Sequence, residues 1–426
     1  YGFERGRRRC LVDPNSSDAT LGSADLTASG GTSTGDRVGW GSESRGAILT
    51  YEIDDIRWAT IPERKEPRFT LRAKNLQFGN LYRPGQEVVV RTALKENADA
   101  DFTVKMRMVD FRNRVLKQDE AALTREGRAW YLTPPEPGWY RAQFTVLNDG
   151  GVVNRRNFQF AVEKPGENSA PSGDSPFIMQ GHFRGGYPLR VMPLIASRGA
   201  TMFRDEMSWH SIERQKGEFN FPLRYLQYPK KAEKLGLDLL LILDYANPNY
   251  ADGDFPYTPK ASRAFARYAR TVARKFKGRI HYYEVWNEWT VGCGMPESGD
   301  AENYTELLKP TYKALKEVDP DCTVIGLGGE HSGNRIDHIE TMFKDGALDY
   351  CDAISVHSYR YPRSPEESDL YGEIMGVADL VEEYGGDQKI WVTEIGWPTH
   401  EGARGVSEFV QARYIVRSHV LMLATR

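Results

Sequence analysis

Apolar positions change their spacing along this chain, and the changes divide it into stretches of different construction. Between Pro67 and Lys164, the runs EVVVRTAL, FTVKMRMVDF and YRAQFTVLN alternate apolar and polar residues with period two. That is the spacing of strands with one buried face. Turn formers separate them: Arg83-Pro84-Gly85, Pro134 to Gly138, and Asp149-Gly150-Gly151. About 100 residues of this kind predict an immunoglobulin-like β-sandwich over 66–165. Ahead of it, residues 1–62 are rich in Gly, Ser, Thr and Asp and close on AILTYEIDDIRWA, strand-like with no helical period. They predict part of a jelly-roll-like β module. Residues 166–175, in the Pro-, Gly- and Ser-rich stretch EKPGENSAPSGDS, predict a linker.

From 176 to 426 strand-like runs alternate with helical ones. The strands are FIMQGHF, ATMFRDEMSW, LDLLLILDYA, RIHYYEVWNEW, TVIGLGG, DAISVHSY and KIWVTEIGW. Continuous apolar runs such as Leu239 to Leu243 suit parallel strands covered on both faces. Between them lie amphipathic helices. One is bracketed by Pro222 and Gly236; another sets Phe265, Ala269, Val272 and Phe276 on one face and stops at Gly278. Strands starting about 30 to 45 residues apart predict the βα units of a TIM (β/α)8 barrel. An open doubly wound sheet is the competing architecture, but no Gly-rich phosphate loop follows the first strand. Seven strands are visible, and the chain ends in the seventh helix, VSEFVQARYIVRSHVLML. The expectation is a barrel lacking its last strand–helix unit, in a chain cut at both ends, or else a barrel left open.

Composition narrows the function classes. Of 426 residues, 40% are hydrophobic and 27% charged, with a net charge of -3, which excludes the strong basic field of a nucleic-acid or anionic-membrane binder. No apolar run reaches the ~18 residues of a membrane span. Four scattered cysteines, Cys10, Cys293, Cys322 and Cys351, are too few for a disulfide framework or a zinc site. Cys322 and Cys351 precede neighbouring strands and could approach each other, as a pair or as free buried thiols. The eight His residues form no HxH or HExxH grouping, so no metal is expected.

Chemistry enters with two glutamates. Glu288 ends the fourth barrel strand and Glu394 the seventh, so both should face the rim where barrel enzymes keep their sites. Two carboxyls across one pocket are what glycosidic cleavage requires. The motifs VWNEW and VTEIGW resemble the acid/base and nucleophile signatures of clan A, the 4/7 superfamily of retaining glycoside hydrolases. RDEMSWHSIERQKGEFNF and SVHSY are similar to the second and sixth strands of family 39. Trp289 departs from that pattern, standing where many members carry Pro. The resemblance implies a retaining β-glycosidase, endo or exo, with Glu288 as acid/base and Glu394 as nucleophile. It implies a polysaccharide or oligosaccharide substrate and no cofactor. At about 5 Å and an effective dielectric of ~20 the two charges would repel by roughly 3 kcal/mol. One carboxyl is therefore expected to stay protonated near neutral pH.

Other positions on the same rim follow. Asn287 resembles the clan residue that holds the sugar 2-hydroxyl. Arg204 ends the second strand and is expected to keep Glu394 ionised. His357 and Tyr359, on the sixth, share a face. Trp289 and Trp397 are candidate sugar platforms; His182, Asp244, Tyr245, Asn247 and Glu330 are candidate hydroxyl contacts, and Arg360 and Arg363 candidate partners for a uronic carboxylate. The competing readings are a catalytically silent carbohydrate-binding protein on the same scaffold, a metal-dependent barrel hydrolase, and a structural surface protein. The β modules suggest an extracytoplasmic or secreted enzyme, by association.

Overall fold

The computed structural model describes residues 69–425, apart from 74–76, 96–100, 150, 164–174, 251–252, 294, 296–298, 334 and 401. The module expected over 1–62, Cys10 and nearly all of the linker lie outside the described residues.

Among the described residues, eight strands precede the linker: β1 (Phe69–Ala73), β2 (Leu81–Tyr82), β3 (Val88–Leu94), β4 (Thr103–Asp110), β5 (Val115–Ala122), β6 (Arg128–Leu132), β7 (Gly138–Asn148) and β8 (Gly151–Val162). They form a three-stranded sheet, β1-β3-β6, and a five-stranded sheet, β2-β8-β7-β4-β5. All pairings are antiparallel except β2 with β8. The period-two residues face a shared core: Val88, Val90 and Trp130 from one sheet, Val104, Met106 and Phe144 from the other. The Trp130 indole N–H donates to Thr92 Oγ1 at 2.8 Å, so its polar atom is satisfied inside. The edge strand β5 is largely exposed and carries Lys117, Asp119 and Glu120, charges that discourage edge-to-edge pairing.

The second half is a parallel sheet of seven strands: β9 (Ile178–Gln180), β10 (Met202–Ser208), β11 (Asp238–Asp244), β12 (Tyr282–Val285), β13 (Thr323–His331), β14 (Ala353–His357) and β15 (Lys389–Glu394). They pair strictly in chain order. The sheet curls into a nearly closed TIM-type barrel in which the β9 and β15 edges carry no shared ladder. Ile178, Met202, Trp391 and Met422 help line a cavity of about 500 Å³ between those edges. Helices cover the outside: α1 (Met192–Ala196), α2 (Trp209–Ile212), α3 (Leu223–Glu233), α4 (Pro259–Phe276), α5 (Ala301–Val318), α6 (Ile336–Lys344), α7 (Leu370–Glu383) and α8 (Glu408–Leu423). In α4, Thr258 caps the first turn, Pro259 opens the helix, and Phe265, Ala269, Val272 and Phe276 are buried. None of the described helices is long and apolar enough to cross a membrane. Helix α8 also touches the two-sheet module, through Phe111 against Phe409 and Gln159 on Glu408.

What positions the site is the layering inside the barrel. Alternate residues of each strand point inward. The lowest layer is apolar, with Met202, Leu240, Ile325 and Ala353 packed against Ile178, Tyr282 and Trp391. Two residues further along β10 and β12 come Arg204 and Glu284, both fully buried, where barrels ordinarily place branched aliphatics. A charged layer in a barrel core needs partners, and those partners reach up into the rim. Cys322 and Cys351 are free and buried, and burial pushes the Cys351 thiol up to about 12.

Candidate active site

Arg204 is the hub. Its Nε donates to Glu284 Oε2 at 2.5 Å and its Nη2 to Asn287 Oδ1 at 2.8 Å. Its Nη1 reaches Gln180 Oε1 at 3.1 Å and also donates to Glu394 Oε1. Thr393 Oγ1 donates to the other Glu284 oxygen at 3.1 Å. One guanidinium thus ties β9, β10, β12 and β15 together and fixes Glu394 and Asn287 relative to each other. Burial works against the charge on Arg204, but Glu284 and Glu394 more than compensate and raise its pKa.

Glu288 arrives by an unusual backbone route. After β12 ends at Val285, Trp286 and Glu288 take positive φ values of 74° and 52°. Left-handed backbone at bulky residues stores strain. Here it is held by hydrogen bonds from Trp286 N to Leu243 O and from Glu288 N to Gly328 O. This double turn sends Asn287 in towards Arg204 and leaves Glu288 in the cleft. Asn287 Nδ2 donates to the Tyr245 hydroxyl at 3.3 Å.

The two carboxylates meet over His357. Its Nδ1 lies 2.8 Å from Glu288 Oε1 and 3.8 Å from Glu394 Oε2. The sum of those legs, about 6.6 Å, is the greatest separation the two oxygens can have. Tyr359 donates to Glu394 Oε2 at 2.7 Å. A second imidazole, His331 Nε2, sits 3.1 Å from Glu288 Oε1. The structure therefore gathers Glu288, Glu394, Arg204, Asn287, His357, Tyr359 and Tyr245 in one cleft.

The electrostatics differ from the expected mutual repulsion. Burial pushes Glu288 up, but the hydrogen bonds and charges of His331 and His357 outweigh it, and the carboxyl lies well below its usual range. Glu394 is also lowered: burial raises it, while the His357 and Arg204 charges and the Tyr359 hydroxyl outweigh both burial and Glu288. At both carboxyls the surrounding hydrogen-bond donors and cations outweigh the like charge across the cleft. Tyr359→Phe removes one of the groups holding Glu394 ionised. The acid limb of activity should then move to higher pH, with about tenfold lower kcat/KM, read from a pH–rate profile.

Several expected contacts do not reach the cleft. Trp289 is fully buried among Phe255, Trp286 and Tyr304, its indole donating to Asp300 O. Trp397 is 3% exposed, packs on Tyr414 and donates to Arg363 O. Neither ring can serve as a sugar platform. Asn247 is buried and spends its amide on Glu213 O and Asn249 N. Glu330 is buried and accepts from the Thr290 and His331 backbone, so it organises the loop. Asp244 is buried too, and burial, followed by the neighbouring Glu206, pushes its carboxyl well above the usual range. Arg360 pairs with Glu373 and Ser368. His182 is exposed and rests edge-on against Tyr187.

Sequence reasoning missed Gln180, Glu284 and His331. Glu284 carried a usable signal, since a charge two residues from Tyr282 in a barrel strand must face inward. His331 carried none, because β13 shifts register between Gly326 and Glu330 and positive φ values run through Leu327, Gly328 and Gly329.

Among the described residues, Glu288, His331 and His357 also offer three ligand-type atoms within 4.8 Å of one another. Both imidazole nitrogens are committed to Glu288 Oε1, however, and His357 Nε2 has no partner among the described residues. Freeing His357 Nδ1 for a metal would move its hydrogen onto that buried, unpartnered nitrogen. The trio is a hydrogen-bonded carboxylate rather than a set of metal ligands.

No family model and no curated protein matches the chain. Among solved structures, two β-glucuronidases align at low TM-scores. Bacteroides uniformis β-glucuronidase 2, covalently bound to cyclophellitol-6-carboxylate aziridine, is 12% identical, with TM-score 0.38 over 84% of this chain and 44% of that one. The Ruminococcus gnavus enzyme is 11% identical, with TM-score 0.38 over 84% and 59%. The chain thus spans about half the length of these two, and neither carries an argument. A family 39 glycoside hydrolase from the gut symbiont Bacteroides cellulosilyticus WH2 is 20% identical, with TM-score 0.55 over 80% of this chain and 71% of that one. The chain therefore resembles a family 39 glycoside hydrolase in fold.

Proposed function

We propose that the chain is a retaining glycoside hydrolase. In this reading Glu394 is the nucleophile, Glu288 the acid/base, and the substrate a polysaccharide or oligosaccharide. The observation that carries the reading is the His357 bridge, which caps the separation of the two carboxylate oxygens at about 6.6 Å. Double displacement uses carboxyls about 5–5.5 Å apart, whereas inversion needs room for a water between them, about 6.5–9.5 Å. The partners favour the roles. Arg204 and Tyr359 keep Glu394 anionic and ready to attack the anomeric carbon. Glu288 instead faces His331, a part-exposed imidazole whose pKa it raises. In this reading Asn287, oriented by Arg204, holds a hydroxyl beside the reacting carbon.

The two-sheet module, whose described strands run from Phe69 to Val162, is in the same reading the immunoglobulin-like spacer of an extracytoplasmic enzyme. The role of Glu288 is tested by Glu288→Ala. Natural glycosides should lose about 10²–10⁴-fold in kcat/KM, while glycosides with good leaving groups lose far less at the glycosylation step, since they need little acid assistance. Steady-state kinetics on both substrate types measure this, and equal losses on the two would remove the acid role.

A further inference from the structure

An acid catalyst must hold a proton when substrate arrives, yet Glu288 is surrounded by groups that favour its ionised form. Two imidazoles converge on the same oxygen, and they are not equivalent. His357 is buried, and its Nε2 has no partner among the described residues. A Cβ on Gly329 would collide with that ring, so the imidazole lies directly against the β13 backbone. Its hydrogen therefore belongs on Nδ1, pointing at Glu288, and it acts as a fixed donor. The His331 side chain is 26% exposed. Its ring can take a proton from solvent and pass it along the 3.1 Å Nε2–Oε1 contact. Resting on the hydrolase reading, we propose that His331 and Glu288 hold one proton between them, making His331 the positioning residue through which the acid/base is charged.

The groups facing this pair agree with that role. Glu330, on the same strand, accepts from His331 N and adds negative charge. Arg335 opposes it from the start of α6. From β14 and the loop after it come His357 and the Tyr359 ring, from β15 Glu394, and from the loop after β12 Cys293. Glu288 raises His331 above the usual imidazole value, while burial pulls the other way. In the first step the shared proton moves to the glycosidic oxygen as its bond to the anomeric carbon breaks and a Glu394 oxygen bonds to that carbon. The pair is left as a carboxylate beside a neutral imidazole. In the second step water's oxygen bonds to the anomeric carbon, its proton returns to the pair, and the Glu394 ester breaks to restore the carboxylate. One water is consumed and one alcohol released.

The test is kcat/KM against pH for wild type, His331→Ala and His331→Gln, on a glycoside with a poor leaving group. In the wild type the alkaline limb should follow the pair, above an ordinary imidazole. In His331→Ala the limb should move down by at least about one pH unit, roughly a tenfold loss at the alkaline end with little at the acid end. His331→Gln, which keeps a hydrogen bond but stores no proton, should behave like His331→Ala. Superimposable limbs, a uniform loss at every pH, or full rescue by Gln would overturn the proposal. Independently of turnover, NMR titration of the imidazole carbons should show His331 titrating lower in Glu288→Gln than in wild type; an unchanged value would also overturn it. A wild type inert on every glycoside would remove the hydrolase reading, and the titration would still decide whether the proton is shared.

Discussion

Glu394→Ala should lower hydrolysis at least ~10⁴-fold, because in the proposed mechanism Glu394 supplies the atom that bonds to the anomeric carbon. Added azide should then restore cleavage of an activated glycoside and yield the glycosyl azide of inverted configuration, since the small anion enters the space the carboxylate left. The structure gives reason to expect the rescue to be clean. Arg204 Nη1 and the Tyr359 hydroxyl both point at that space, so an anion finds two donors already oriented. The pocket should therefore survive the loss of Glu394, and only the bond-forming atom would be missing. Product analysis with and without azide measures both halves of the prediction. Undiminished hydrolysis in the variant would remove Glu394 as nucleophile.

Arg204→Met should be the most damaging single change to stability. Arg204 and Glu284 are both fully buried, and removing one member of a buried pair strands the other without compensation, costing about 3–5 kcal/mol. The loss should appear as a lower Tm of the barrel transition by calorimetry. Adding Glu284→Gln to Arg204→Met should recover part of it, because the stranded charge is then gone. Activity should not recover in the double variant. Glu394 would have lost the cation that holds it ionised, and Asn287 the donor that orients it.

The barrel was largely legible in the sequence. Its seven strands stand where the apolar runs lie, because a parallel strand buried on both faces leaves little room for polar residues. The two glutamates were legible for a related reason, each closing such a run at the end that faces the rim. His357 was legible by its place at the end of β14, with Tyr359 two residues beyond it, but Arg204, expected to end the second strand, lies two residues into β10, in the buried layer below the rim. What could not be read was the direction each rim side chain takes once its strand has ended. Trp289 and Trp397 follow the two glutamate motifs but turn into the core, where Asp300 O and Arg363 O satisfy their indoles. Asn247 and Glu330 turned inward too, to serve backbone groups. The ionisation of Glu288 was misjudged because the expectation counted one neighbour, Glu394, and omitted His331. That histidine reaches the site only through the glycine-bent end of β13, a path that no periodicity encodes.

The barrel's inner architecture explains why these parts act together. A charged middle layer replaces the usual aliphatic one, and it couples the strand that carries Glu394 to the strand that ends before Glu288. The strain at Trp286 and Glu288 is then sustained by a framework fixed from below. Precision at the rim is bought with buried charge in the core.

The stereochemistry of the first-formed product tests this account most directly. An aryl β-glycoside that the wild-type protein turns over, found from a panel of sugars, would be hydrolysed in an NMR tube and the anomeric proton followed before mutarotation. The account predicts that the β-anomer appears first and the α-anomer grows in later. An α-anomer appearing first would mean that water attacks directly, and would contradict the two-step role given to Glu394.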